Sequence, residues 1–125
     1  METTKEMRSL RLYYNISLYT PNLHYSNEKY EVIIPNSIEE YRAEARAMNN
    51  CIERSYLELV ANGETYIVFI RDKANINTPL VDCQITLNGI INQFLKKNDY
   101  RASEEDLISF RREYQNYLLN NIFKK

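Results

Sequence analysis

Several residue types are scarce or missing in this chain. Its 125 residues include no tryptophan, one histidine, two cysteines, two glycines and three prolines. Two cysteines are too few for a disulfide scaffold, and neither Cys51 nor Cys83 has a neighbouring His or Cys at metal-ligand spacing. We therefore expect both cysteines to be reduced, and we predict no metal and no other cofactor.

Long apolar runs and a charge excess are also missing. No apolar run approaches the roughly 18 residues that a membrane span needs, and the first residues lack the apolar core of a signal peptide. The 16 basic and 17 acidic residues nearly cancel, which argues against a protein that coats nucleic acid and against an acidic DNA mimic. We expect a cytoplasmic protein with no membrane partner, which recognises its partners through local patches.

The N-terminal quarter has the two-residue period of strands. Apolar residues alternate with polar ones over residues 10–18, and Tyr30, Val32 and Ile34 alternate again before Pro35 stops the pattern. Residues 20–28 between them are rich in turn-forming side chains. The pattern predicts an N-terminal hairpin.

A helix is predicted to follow the hairpin. Ser37 and Glu40 have the spacing of a capping box, in which each side chain satisfies an amide of the first turn. An apolar stripe with spacings of three and four runs from Ile38 to Leu59 and stops at Asn62-Gly63. The pair Asn49-Asn50 leaves open a break into two helices.

The C-terminal half is predicted to contain a three-stranded meander and a final helix. Residues 65–70 and 80–87 are β-rich runs, and Asn88-Gly89 predicts a hairpin turn in which both residues have positive φ. Ser103 is expected to cap a helix that buries Leu107, Phe110, Tyr114, Tyr117 and Leu118. The order ββαβββα predicts a single α+β domain over residues 1–125, with an antiparallel sheet of about five strands packed against two or three helices.

The run over residues 48–98 resembles the signature of the PcfJ-like family of plasmid- and phage-borne proteins. The matching features are a helix with a Cys and a Tyr, a Gly turn, a strand ending in Arg, a Pro-Leu-Val strand, a Gln and an Asn. In this sequence they are Asn50-Cys51-Ile52, Tyr56, Gly63, residues 67–71, Pro79-Leu80-Val81, Gln93 and Asn98. The resemblance implies a protein of a mobile element, located in the cytoplasm of a bacterial host.

The departures from the family pattern remove acid-base groups. Asn50 stands where the family usually has His, and Gln84 stands where an acidic residue is common. Glu53 or Arg54 stands near a family Gly, and Lys96 stands where a second Gly is usual. Since Asn and Gln exchange no protons near neutral pH, this member is expected to lack acid-base chemistry.

Partner binding is predicted at two segments. Arg71, at the end of a strand, has a guanidinium suited to phosphate or carboxylate, and the alternative is an internal ion pair with Glu58, Glu64 or Asp72. Residues 72–78 form an irregular polar loop that either binds a partner or is a solvated connection. The predicted partner-binding residues are Arg71, Asp72, Lys73, Asn75, Lys96, Lys97 and Arg101.

A second candidate site follows the family motif. It consists of Asn50, Cys51, Gln93 and Asn98. We expect Cys51 and Cys83 to be buried structural residues, because a nucleophilic cysteine requires a nearby base and His24 is distant in sequence. Gln93 and Asn98 either take part in a site or satisfy backbone groups.

The eleven tyrosines are an excess that serves cores and interfaces equally well. We expect Tyr41, Tyr56 and Tyr114 to be buried, and Tyr13, Tyr19, Tyr25 and Tyr100 to contact a partner. Basic residues near Tyr100 and Phe123 either bind phosphates and bases or form a solvated face. They are Lys96, Lys97, Arg101, Arg111, Arg112, Lys124 and Lys125.

Three functional hypotheses follow. The first is a small binding protein that inhibits a host protein, such as an anti-CRISPR protein acting on a nuclease or its RNA complex. The second is a nucleic-acid-binding accessory protein of plasmid transfer or phage replication. The third is an enzyme that uses Cys51 as its nucleophile.

Overall fold

One antiparallel sheet organises the chain. The structure, a computed structural model, describes residues 21–49, 60 and 63–124. Within these ranges the strands are, in spatial and sequence order, β1 (Tyr30–Ile33), β2 (Tyr66–Asp72), β3 (Val81–Ile85) and β4 (Ile91–Leu95). The α-helices are α1 (Ile38–Met48) and α2 (Glu105–Tyr117); a π-helical turn, Leu118–Ile122, continues α2, and Val60 is a further helical residue.

The α+β prediction and the β2–β3–β4 meander are confirmed. The described residues form four strands rather than about five, and the strand predicted over residues 10–18 lies outside them. β1 pairs antiparallel with β2, so Tyr30 lies opposite Asp72 and Ile33 lies opposite Phe69.

The second strand is buried on both faces. Val68 and Ile70 point into one apolar core, and Ile67 and Phe69 point into another. All four side chains are at most 4% exposed. Because β2 also has a neighbouring strand on each side, it is the central element of the fold.

The larger core lies between the sheet and α2. Leu107, Phe110, Tyr114 and Leu118 of the predicted stripe are buried there. The Tyr114 hydroxyl donates to the Leu23 carbonyl at 2.6 Å, and burial raises the pKa of this phenol far above its ordinary value. The predicted cap at Ser103 is wrong: α2 begins after Glu104, whose side chain makes no capping bond.

The smaller core lies under α1. Ser37 Oγ accepts the Glu40 N–H at 3.2 Å, while the Glu40 carboxylate accepts the N–H of Asn36 rather than that of Ser37. The helix ends because Asn49 adopts the left-handed conformation, with φ 49°, and its N–H bonds to carbonyls of the last turn. α1 therefore ends at Asn49, at the predicted break point Asn49-Asn50, while the second helix of that alternative lies, except for Val60, outside the described residues. The predicted continuation through Ile52, Tyr56 and Leu59 lies outside the described residues.

The turn between β3 and β4 differs from its prediction. The Gly89 N–H donates to the Thr86 carbonyl at 2.9 Å, and the Thr86 N–H donates to the Ile90 carbonyl at 2.9 Å. Of the pair Asn88-Gly89, only Gly89 has a positive φ, at 91°. The loop thus has three residues and resembles a type I turn followed by a glycine bulge, which requires a single left-handed residue.

Gly89→Ala is expected to destabilise the protein by more than 1 kcal/mol. An alanine at this φ is strained, and its Cβ would lie 2.6 Å from the Phe123 ring. Urea unfolding of Gly89→Ala, Phe123→Ala and the double variant separates the two causes. The double variant should lose less stability than the sum of the single losses, because Phe123→Ala removes the two ring atoms that lie 2.6 Å from the added Cβ and leaves only the Phe123 Cβ, at 2.9 Å. Strict additivity would contradict a steric contribution.

Candidate functional site

Two predicted binding segments lie at the same end of the sheet. The strand register pairs Ile70 with Val81 and Asp82 with Leu95. The C-terminal ends of β2 and β4 therefore both lie beside the start of β3, so the connection after β2 and the segment after β4 leave the sheet at the same end. We call the exposed residues Lys73, Lys97, Tyr100 and Arg101 the basic end.

The predicted loop over residues 72–78 has a defined backbone. The Asp72 carboxylate accepts the Ala74 N–H at 2.8 Å and so caps a single 3₁₀ turn, Lys73–Asn75. The Lys73 N–H donates to the Lys29 carbonyl at 2.8 Å, which fixes the turn to the start of β1. Asp72 thus has a structural role, whereas the side chains of Lys73 and Asn75 are exposed.

Arg71 forms a buried ion pair. Its Nη1 donates to Glu44 Oε2 at 2.9 Å, its Nη2 bonds to Glu44 Oε1, and its guanidinium lies 5.3 Å from the centre of the Phe69 ring. The side chains of Arg71 and Glu44 are 10% and 3% exposed. Arg71 therefore forms an internal ion pair, as one of the two predictions stated, but its partner is Glu44 rather than Glu58, Glu64 or Asp72. A partner-binding role for Arg71 stays a prediction.

Glu44 was not among the residues predicted from the sequence. Its position, three residues after Tyr41 and four before Met48, places it on the buried stripe of α1. An acidic residue on such a stripe requires a buried partner, and this was the available signal. The pair borders an open groove of about 590 Å³, whose other lining includes Ala43, Ala47, Ile76 and Pro79.

The segment after β4 forms a tight loop. The Lys96 N–H donates to the Tyr100 carbonyl at 2.7 Å, and Asn98 and Asp99 both have positive φ. The Lys96 ammonium bonds to the Glu104 carboxylate, and this bond lowers the pKa of Glu104. Lys96 is thus already paired. Lys97 and Arg101 are exposed, and Tyr100 is 70% exposed.

The two described family-motif residues, Gln93 and Asn98, lie in different places. Asn98 Oδ1 accepts a hydrogen bond from Asn49 Nδ2 at 2.7 Å, which ties the loop after β4 to the end of α1. Asn50 and Cys51 follow Asn49 in sequence but lie outside the described residues. Gln93, on β4, lies opposite Gln84 of β3. It lines a cavity other than the groove beside Arg71.

That cavity, which we call the basic cleft, lies beside β4. Its volume is about 350 Å³. The lining residues are Asn92, Gln93, Phe94, Leu95, Arg101 and Arg111. The Arg111 guanidinium lies 5.7 Å from the centre of the Phe94 ring and donates to the Ile91 carbonyl at 3.4 Å. The cleft joins a predicted binding residue, Arg101, to a family-motif residue, Gln93.

The remaining candidate cysteine, histidine and tyrosine side chains are buried, or packed or hydrogen-bonded within the protein. Cys83 is fully buried, and burial raises the pKa of its thiol, which makes it a poor nucleophile. His24 Nε2 bonds to Glu31 at 3.1 Å on the surface. Tyr41 and Tyr114 are buried as predicted. Tyr25 was expected to contact a partner, yet it packs on Phe110, Tyr114 and Tyr117 at centroid distances of 4.9–5.8 Å.

Of the other aromatic and basic residues singled out from the sequence, some are described and some are not. Phe123 packs against Tyr66 and Gly89 and is partly buried. Tyr13, Tyr19, Tyr56 and Lys125 lie outside the described residues. Among residues 21–49, 60 and 63–124, no group of three or more His, Cys, Asp and Glu side chains is placed to hold a metal. The helices within the same ranges are too short or too polar to cross a membrane.

Fold and surface together define a small α+β protein: over residues 21–49, 60 and 63–124, α1 and α2 pack on opposite faces of an antiparallel sheet, and exposed basic side chains lie at one end of it. The model of the PcfJ-like protein family matches residues 2–110. The chain therefore belongs to the PcfJ-like family. Neither the curated proteins nor the solved structures contain a match.

Arg71→Met is expected to lower the free energy of unfolding by about 3–5 kcal/mol, because it leaves the Glu44 carboxylate buried without its cation. Replacing both partners, as in Glu44→Leu with Arg71→Met, should recover most of this loss. Urea unfolding of the two single variants and the double variant measures the coupling. A change of under about 0.5 kcal/mol in Arg71→Met would contradict a structural role for the pair.

Proposed function

We propose that this chain is a non-catalytic binding protein of a mobile element that inhibits a host defence complex, such as a CRISPR nuclease with its RNA. The observation that carries the proposal is the basic end, where Lys73, Lys97 and Arg101 are exposed on turns with fixed backbones. Such groups steer an anionic partner and set its orientation. The plasmid or phage origin that the family resemblance implies is consistent with a host target.

The exposed chemistry at the basic end suits recognition. Ammonium and guanidinium groups bind carboxylates and phosphates, and Tyr100 adds a large flat contact surface with a polar tip. The buried Cys83 thiol supports the non-catalytic part of the proposal. An enzyme built on Cys51 is a third hypothesis, which thiol labelling at low pH tests.

A second candidate function is a nucleic-acid-binding accessory protein of plasmid transfer or phage replication. The observation that favours it is Tyr100, which is 70% exposed and lies in sequence between Lys97 and Arg101. An aromatic ring beside cations is the arrangement on which proteins stack and hold single strands.

The double variant Lys97→Glu with Arg101→Glu is expected to reduce capture of the partner from a bacterial lysate. Association should slow by about tenfold or more at low salt, because steering is reversed. The effect should shrink at 1 M salt, where the Debye length falls to about 3 Å. Lys96 is left unchanged because it already bonds to Glu104.

The matched control is Arg112→Glu with Lys124→Glu. It makes the same change in net charge at exposed positions outside the basic end, and it should leave capture unchanged. Capture that survives nuclease treatment supports the inhibitor hypothesis, whereas capture that requires intact nucleic acid supports the accessory hypothesis. Equal loss of capture in both double variants would contradict binding through the basic end.

A further inference from the structure

The basic cleft is lined by residues that, except for Arg101, do not belong to the basic end. Its lining residues include two arginines, Arg101 and Arg111, and two residues with amide side chains, Asn92 and Gln93. No carboxylate is among its described lining residues. A cavity with two cations and two amides is suited to an anion that is attached to a hydrogen-bonding group.

Arg111 is held in place before any ligand binds. Its guanidinium packs on the Phe94 ring at 5.7 Å, and Nη2 donates to the Ile91 carbonyl at 3.4 Å. A guanidinium has five N–H donors, so these contacts leave donors for a ligand. A cation that is already oriented loses little conformational entropy on binding, which favours affinity.

Arg101 supplies the second cation from another element. It follows the tight loop after β4 and pairs with Leu95 in an isolated β-bridge, which fixes its backbone beside the cleft. Arg111 lies on α2, so the two arginines line the cleft from different elements. Paired guanidinium groups hold a phosphate through parallel N–H···O bonds.

The amides and Tyr100 extend this recognition beyond the phosphate. Asn92 Nδ2 donates to Gln84 Oε1 at 3.2 Å, which orients the Asn92 amide. Amides form hydrogen bonds with the edges of bases, and Tyr100, which precedes Arg101 in sequence, is 70% exposed and available for stacking. The cleft volume of about 350 Å³ lies at the lower end of the range for small-ligand pockets, which is about 300–1,000 Å³.

We propose that the basic cleft binds a phosphodiester of single-stranded nucleic acid between Arg101 and Arg111, with the neighbouring base stacked on Tyr100. This inference rests on the second candidate function, contact with nucleic acid, and does not depend on inhibition of a host target. Arg111, which the sequence placed in a general group of basic residues that either bind phosphates or form a solvated face, thereby gains a specific role in holding a phosphate.

The test is fluorescence anisotropy of the purified protein with labelled single-stranded DNA and RNA oligonucleotides over a series of salt concentrations. Arg111→Gln should weaken binding and reduce the slope of log affinity against log salt by about 0.7, the value for one phosphate contact on a single strand. Arg112→Gln, one residue along α2 and outside the cleft lining, is the matched control and should change neither quantity.

Two further arms separate a phosphodiester site from a general cation surface. Tyr100→Ala should weaken binding by about fivefold or more without changing the salt slope, because stacking releases no counterions. Polyglutamate should compete poorly with the oligonucleotide, and Arg111→Lys should recover the salt slope but only part of the affinity. Thermal melting of each variant confirms that it is folded.

Three results would contradict a phosphodiester site in the basic cleft. Equal losses in Arg111→Gln and Arg112→Gln, or equal competition by polyglutamate, would overturn the cleft as a phosphodiester site. Absence of oligonucleotide binding by the folded wild-type protein would do the same. Nuclease-resistant capture of a host protein would then still support the inhibitor hypothesis, so the two proposals fail separately.

Discussion

Burial of β2 on both faces is the constraint on which the rest of this structure depends. Val68 and Ile70 require cover on one face, and Ile67 and Phe69 require it on the other. α2 supplies the first cover and α1 contributes to the second. Full burial of each large apolar side chain contributes about 1.5–3 kcal/mol, so neither face can be left open. The two helices and the strand ends are positioned accordingly.

The two faces differ in polarity. The α2 side is an apolar core that contains the Tyr114–Leu23 hydrogen bond, whereas the α1 side contains the charged Glu44–Arg71 pair and a bond from Thr65 Oγ1 to the Ile85 carbonyl at 3.1 Å. Buried polar groups are tolerated when they are paired, and their geometry limits how a helix can sit on the sheet. We infer that the polar face fixes the position of α1, and that the Asn49–Asn98 bond then connects α1 to the basic end.

Local signals predicted much of the fold. The capping residue Ser37, the meander and the stripe of α2 follow from spacing within a few residues, and each is present. Errors occurred where neighbouring structure decides between local alternatives. Gly89 has positive φ without Asn88, because the loop has three residues rather than two. The cap at Ser103 failed because the chain turns one residue later, at Glu104.

The candidate site was harder to predict, because its contacts join distant segments. Arg71 lies at the end of a strand, where an exposed binding residue could be expected. It is buried because it pairs with Glu44, which is 27 residues away in sequence. Arg111 and Gln93 share a cleft only because α2 packs beside β4. Exposed residues such as Lys97 and Arg101 were predicted more directly, since loop positions at strand ends follow from the order of the strands.

Hydrogen exchange of the protein in complex with its captured partner tests the central claim most directly, because it locates the contact surface without any substitution. The account predicts slower amide exchange in residues 96–102, with unchanged exchange in α1. Protection confined to α1 and residues 76–79, which border the groove over Glu44 and Arg71, would contradict it.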